Sequence, residues 1–84
     1  MTVVLDPLMY ALIGEIERQD EKHGRFQALT QLGASRLALA CLEDEIAEAK
    51  QAWRDERKTP TWDHTREEVL QVAAVAMRAL RDAL

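Results

Sequence analysis

The chain has 84 residues, enough for one domain and near the size at which a single hydrophobic core is only marginally sufficient. Hydrophobic residues make up 48%, too many for a disordered chain, and the Ala- and Leu-rich mix with three Gly and two Pro favours helix over strand. A net charge of −4 with no basic stripe argues against binding to a nucleic-acid duplex, where neutralised phosphates supply much of the affinity. Acidity suits the binding of cations, or of an anion through a bridging metal.

Cys41 is the only cysteine, so no intrachain disulfide forms, and its Ala/Leu surroundings read as those of a small buried hydrophobe. The apolar start from Met1 to Leu5 lacks a basic flank and is interrupted by Asp6-Pro7. It reads as neither a signal peptide nor a membrane span, and a cytoplasmic protein is expected.

Three helices are expected in a single domain covering residues 1–84. The first starts at Asp6-Pro7, an N-cap followed by Pro at the first helical position, and stops by Gly24. Gly14 within it suggests a close helix crossing. Arg25 to Gly33 reads as a connection. The second helix runs from about Ala34 to Arg57, with Leu37, Leu42, Ile46, Ala49 and Trp53 at helical spacing. Lys58-Thr59-Pro60-Thr61 forms a turn, and the third helix starts near Asp63 or Thr65 and runs to the C-terminus.

That third helix is apolar on most sides. Val69, Val72, Ala73, Ala76, Leu80 and Ala83 cover one broad side, and Leu70, Ala74 and Met77 extend it. Glu67, Gln71, Arg78 and Asp82 form its one polar strip. Two other helices cannot cover so much apolar surface. The expected fold is therefore an all-α, three-helix protomer that completes a four-helix-bundle-like core by homo-oligomerisation, as a dimer or tetramer.

Carboxylates cluster in two places. Glu45 and Glu48 lie three residues apart and project from one side of the second helix, flanked by the small residues Ala38, Cys41, Ala49 and Ala52. Glu56 falls in the same stripe. Glu68 and Gln71 repeat the spacing on the third helix, and antiparallel packing would bring both pairs to one point. Three carboxylates and an amide carbonyl are hard oxygen ligands, suited to Mg²⁺ or Mn²⁺. Two plainer readings stand beside this one. Glu-rich helix faces are often solvated, and Thr65-x-x-Glu68 matches a capping box in which Glu68 caps the third helix. Spacing alone does not decide between them.

Leu42 to Ala49, containing Asp44, Glu45 and Glu48, resembles the Glu-Glu-x-x-Glu motif of the MazG-like family of all-α nucleoside triphosphate pyrophosphohydrolases. Glu68-Val69-Leu70-Gln71 resembles that family's Glu-x-x-Asp motif, with Gln71 in place of the Asp. Glu17 to Gly24 and Gln71 to Ala76 resemble segments of its short bacterial and phage members. The resemblance implies a Mg²⁺-dependent hydrolase that cleaves a nucleoside triphosphate to the monophosphate and pyrophosphate. Glu45, Glu48 and Glu68 would be catalytic metal ligands, Gln71 a weaker neutral fourth, and Glu43 or Asp44 would orient the water. Lys22, Arg25, Arg57 and Lys58 would contact phosphates, and Trp53 or Trp62 would stack on the base, although core or interface packing is the commoner role for such tryptophans. The chain is short for a substrate pocket, so a complete site would draw on a second subunit. With an acid missing at Gln71, the alternatives are a relative that binds a nucleotide or metal without catalysis, and a purely structural helical oligomer.

Overall fold

A computed structural model describes residues 6–58 and 61–84. Among them the only regular elements are three helices: α1 (Pro7–His23), α2 (Gln31–Glu56) and α3 (Asp63–Asp82). The expected turn at Thr59-Pro60 and the apolar start at Met1–Leu5 lie outside the described residues. No helix among those described is long and apolar enough to cross a membrane.

Each helix end has a local cause. The Asp6 carboxylate accepts the Leu8 N–H at 2.8 Å and Pro7 takes the first helical position, as the sequence predicts. At the other end of α1, Gly24 adopts φ 71° and ψ −167°, a conformation that disfavours any side chain. α2 begins at Gln31, three residues before the predicted Ala34, because the Thr30 hydroxyl accepts the Gly33 N–H at 3.0 Å and caps the helix there. α3 begins at Asp63 after Trp62, which sits in the left-handed region.

The capping box predicted at Thr65 and Glu68 does not form. Glu56, at the end of α2, caps α3 instead: its carboxylate accepts the N–H groups of His64 and Thr65 and the hydroxyls of Thr61 and Thr65. Glu56 therefore leaves the stripe of acids in which its spacing places it, and Glu68 remains available for another role.

α3 is the central element. It packs against both α1 and α2, whose backbones nowhere approach each other within 8 Å. α2 and α3 run antiparallel, with Ala34 and Ala38 near the start of α2 packed on Ala79 and Ala83 at the end of α3, alongside Val75 and Phe26. The small side chains allow this close approach. The suggested crossing at Gly14 is absent: among the described residues nothing lies within 4 Å of where its Cβ would be. Cys41 is half-buried against the core, broadly as expected.

The polar strip of α3 turns inward. Arg78 is 2% exposed and donates to Asp20 Oδ1 at 3.0 Å, Gln19 Oε1 at 3.1 Å and the Gly24 carbonyl, while its guanidinium lies 4.6 Å over the Phe26 ring. The Asp82 carboxylate is equally enclosed and accepts the Phe26 N–H at 3.1 Å. One buried side chain thus ties the end of α1 and the following loop to α3. The apolar side of α3 is correspondingly exposed, at 52% for Val69 and 62% for Leu80.

Removing this guanidinium while keeping an unbranched stem leaves the buried Gln19 amide oxygen without its donor and breaks the ion pair with Asp20. Arg78→Met is expected to cost about 3 kcal/mol, by analogy with broken buried pairs, seen as a lower urea midpoint at unchanged m-value. A change below about 0.5 kcal/mol, the scatter of ordinary surface substitutions, would contradict the assigned role.

Candidate metal centre

Glu45 and Glu48 project from the side of α2 that meets α3, and the antiparallel packing brings Glu68 opposite them. One carboxylate oxygen from each of the three lies within 4.8 Å of the others. Ligands on opposite sides of a Mg²⁺ ion stand about 4.2 Å apart at the usual bond length, so small side-chain adjustments suffice to fit one ion. Ala38 and Ala52, 0% and 2% exposed, flank the acids on α2 and let α3 approach.

Two of these oxygens lack partners. Glu45 Oε2 and Glu68 Oε2 are fully buried and accept no hydrogen bond from the described residues. Buried carboxylate oxygens are nearly always hydrogen-bonded, and an unpaired one needs a reason. The pKa of Glu45 is raised accordingly. Burial is the main cause, followed by the negative charges of Glu48 and Glu68, a hydrogen bond with Glu48 and the charge of Glu15. This donor set, carboxylates only and close enough for one ion, fits a hard divalent cation.

Glu15 on α1 was not among the residues expected here. Its side chain is 12% exposed, Arg18 Nε donates to its Oε2 at 2.8 Å, and Gln19 donates to its Oε1 at 3.1 Å. The hydrogen bond from Arg18 leads the causes that lower its pKa. Glu15, Arg18 and Gln19 stand at i, i+3 and i+4, a spacing legible in the sequence. What the spacing does not reveal is which neighbouring helix they face.

A cavity of about 510 Å³ opens between α1 and α2 over α3. Asp44, Glu45 and Glu48 line it from α2, Arg18 and Lys22 from α1, Arg25 from the loop, and Gln71, Val75 and Arg78 from α3. The cavity thus has an acidic wall and a basic wall. Lys22, Arg25 and Gln71, all singled out in the sequence, line this cavity. Gln71 also accepts the Gln19 side-chain amide on its backbone carbonyl at 3.3 Å. Asp44 lines the cavity and Glu43 does not, which separates the two candidates for orienting a water. His23 lines the cavity too, and His64 Nε2 lies 3.8 Å from the Glu68 carboxylate.

Trp62 does not line the cavity, and three further expected contacts do not reach it. Trp53 lies on another side of α2, in a shallow apolar groove with Ile46, Val69 and Val72. Arg57 stacks over the Trp53 ring at 5.6 Å, and Lys58 is exposed beyond the end of α2. All three fall beyond the acids because α2 continues past Glu48 for two further turns.

Comparison with known protein families, with characterised proteins and with solved structures finds no match to this chain.

The raised pKa of Glu45 has a definite sign. The folded state holds the proton more tightly than the unfolded one, so stability falls as the pH rises from the ordinary value of 4.5 through the folded pKa. Glu45→Gln removes that penalty, and the metal-free variant is expected to melt above the wild type at pH 7 and at or below it at pH 4. A metal-free variant that melts below the wild type at pH 7 would contradict the strained cluster.

Proposed function

We propose that the chain is a divalent-cation-dependent nucleoside triphosphate pyrophosphohydrolase of the MazG-like kind, yielding a nucleoside monophosphate and pyrophosphate. The observation that carries this reading is the meeting of Glu45, Glu48 and Glu68, with two orphaned buried oxygens, beside a cavity whose opposite wall is basic. The cavity volume falls in the usual range for small-ligand sites. Motif order in the sequence supports the same reading.

Glu45, Glu48 and Glu68 hold Mg²⁺ or Mn²⁺ in this proposal, and Gln71 stands nearby as a neutral ligand. The bound ion would neutralise phosphate oxygens and favour ionisation of an attacking water. Lys22 and Arg25 bind the phosphate chain from the basic wall, and Arg18 joins them there. Asp44 accepts a hydrogen bond from the water and orients it. Within one protomer Trp53, Arg57 and Lys58 take no part. The proposed working form is a homo-oligomer, dimer or tetramer, with a four-helix-bundle-like core. Its support is that no large side chain among the described residues is fully buried in the single chain.

Gln71 favours one alternative, a relative that binds nucleotide without hydrolysing it, since the neutral amide lowers the negative charge available to a metal. Pyrophosphate release from a panel of nucleoside triphosphates in Mg²⁺ distinguishes the two. Turnover is expected in the wild type, with a loss of at least about 100-fold in Glu48→Gln at unchanged helix content, the scale of losing one strong electrostatic contact. Saturable nucleotide binding with no pyrophosphate release would favour the non-catalytic relative. Equal turnover in the variant would overturn the assignment of Glu48.

A further inference from the structure

We infer that Glu15 and Arg18 form a preset phosphate-binding arm: Arg18 takes a phosphate oxygen across the cavity from the acidic cluster, and Glu15 is the positioning residue that aims it. The inference deepens the proposed function and rests on the reading of the cavity as a triphosphate site.

The cations of the basic wall are not equivalent. Lys22 is exposed, and Arg25, with its side chain 64% exposed, reaches Asp82 only at 3.9 Å. Arg18 is held differently. Its Nε and Nη2 donate side-on to the two oxygens of Glu15, at 2.8 and 2.5 Å. That bidentate fork is a property of the planar guanidinium which an ammonium cannot copy.

Glu15 is itself held from behind. Its Oε1 also accepts the Gln19 side-chain amide at 3.1 Å, the same amide donates to the Gln71 carbonyl at 3.3 Å, and Gln19 Oε1 accepts from Arg78. A continuous chain of hydrogen bonds thus runs from the buried guanidinium of α3 to the half-exposed one of α1. Arg18 lines the cavity and Glu15 does not, so the acid stands behind the cation it holds.

The fork uses two of the five N–H groups of Arg18 and leaves three for a ligand. Its pKa is raised first by the hydrogen bond to Glu15, and the charge of Glu45 adds to the effect, which places the guanidinium within electrostatic reach of the cluster. A phosphate chain held by an ion at the cluster therefore meets a cation already oriented, and little freedom of that long side chain is lost on binding.

Glu15 is an acid beside an anion site, and this gives the test its sign. By charge alone, removing it strengthens the binding of a polyphosphate. By the positioning role, removing it weakens that binding. Isothermal titration calorimetry with inorganic tripolyphosphate in Mg²⁺ reads the difference without turnover and without a choice of base. Glu15→Gln, with helix content checked by circular dichroism, is expected to bind at least about 10-fold more weakly than the wild type, the scale of one charge-assisted hydrogen bond. Arg18→Lys keeps the charge, loses the fork and is expected to weaken binding as much. Glu15→Gln added to Arg18→Lys should cost little more, because the acid acts through the guanidinium. Glu17→Gln, the same change of charge at an exposed position on another side of α1, should leave affinity unchanged or slightly raised. Equal or tighter binding by folded Glu15→Gln, or equal binding by Arg18→Lys, would overturn the inference and leave the triphosphate reading in place. A wild type that binds no tripolyphosphate would overturn both.

Discussion

Among the described residues, α3 is the one helix whose backbone packs closely against both of the others. Because the α1 and α2 backbones stay apart, the position of each is set by its own seam with α3, and the space left between them is the cavity. The α2 seam is made of Ala on Ala and holds the two helices close. The α1 seam depends on the Arg78 guanidinium, which binds groups on α1 and the loop beyond it. One seam sets the distance between Glu45 and Glu68. The other sets the distance of Lys22 and Arg25 from both.

The acids of the fold differ in how their charges are compensated. Around Arg78 and Arg81, acids are matched. Asp20 is held down to about 2 by Arg81 and Arg78, so the stability it lends is present above its ordinary value of 3.8 and lost as the pH falls towards 2. Asp82 is lowered mainly by Arg81 in the same way. In the carboxylate cluster, Glu45 is raised by burial and by the charges of Glu48 and Glu68, and neither its Oε2 nor that of Glu68 accepts a hydrogen bond from the described residues. Such a cluster is electrostatically strained, and a divalent cation would relieve that strain.

Much of this was legible in the sequence where the cause is local. Pro7 and Gly24 bound α1 because each restricts its own backbone, and Glu45 and Glu48 share a side of α2 because helix geometry alone requires it. The start of α2 was misplaced because Thr30 reads equally as loop or cap until its hydroxyl is seen on Gly33. Glu56 fitted the acidic stripe by spacing, yet its role depends on where the next helix begins. Arg78 and Asp82 read only as part of a polar strip, since nothing in their spacing reveals that α1 and Phe26 cover them. Glu15 was passed over because its neighbour in space is on another helix.

Anomalous diffraction from crystals grown with millimolar Mn²⁺ tests the proposed divalent-cation site at Glu45, Glu48 and Glu68 most directly. The expected result is a strong peak at about 2.2 Å from an oxygen of each of the three carboxylates. A map with no peak among them, in crystals where Mn²⁺ has reached the cavity or other surface sites, would contradict it.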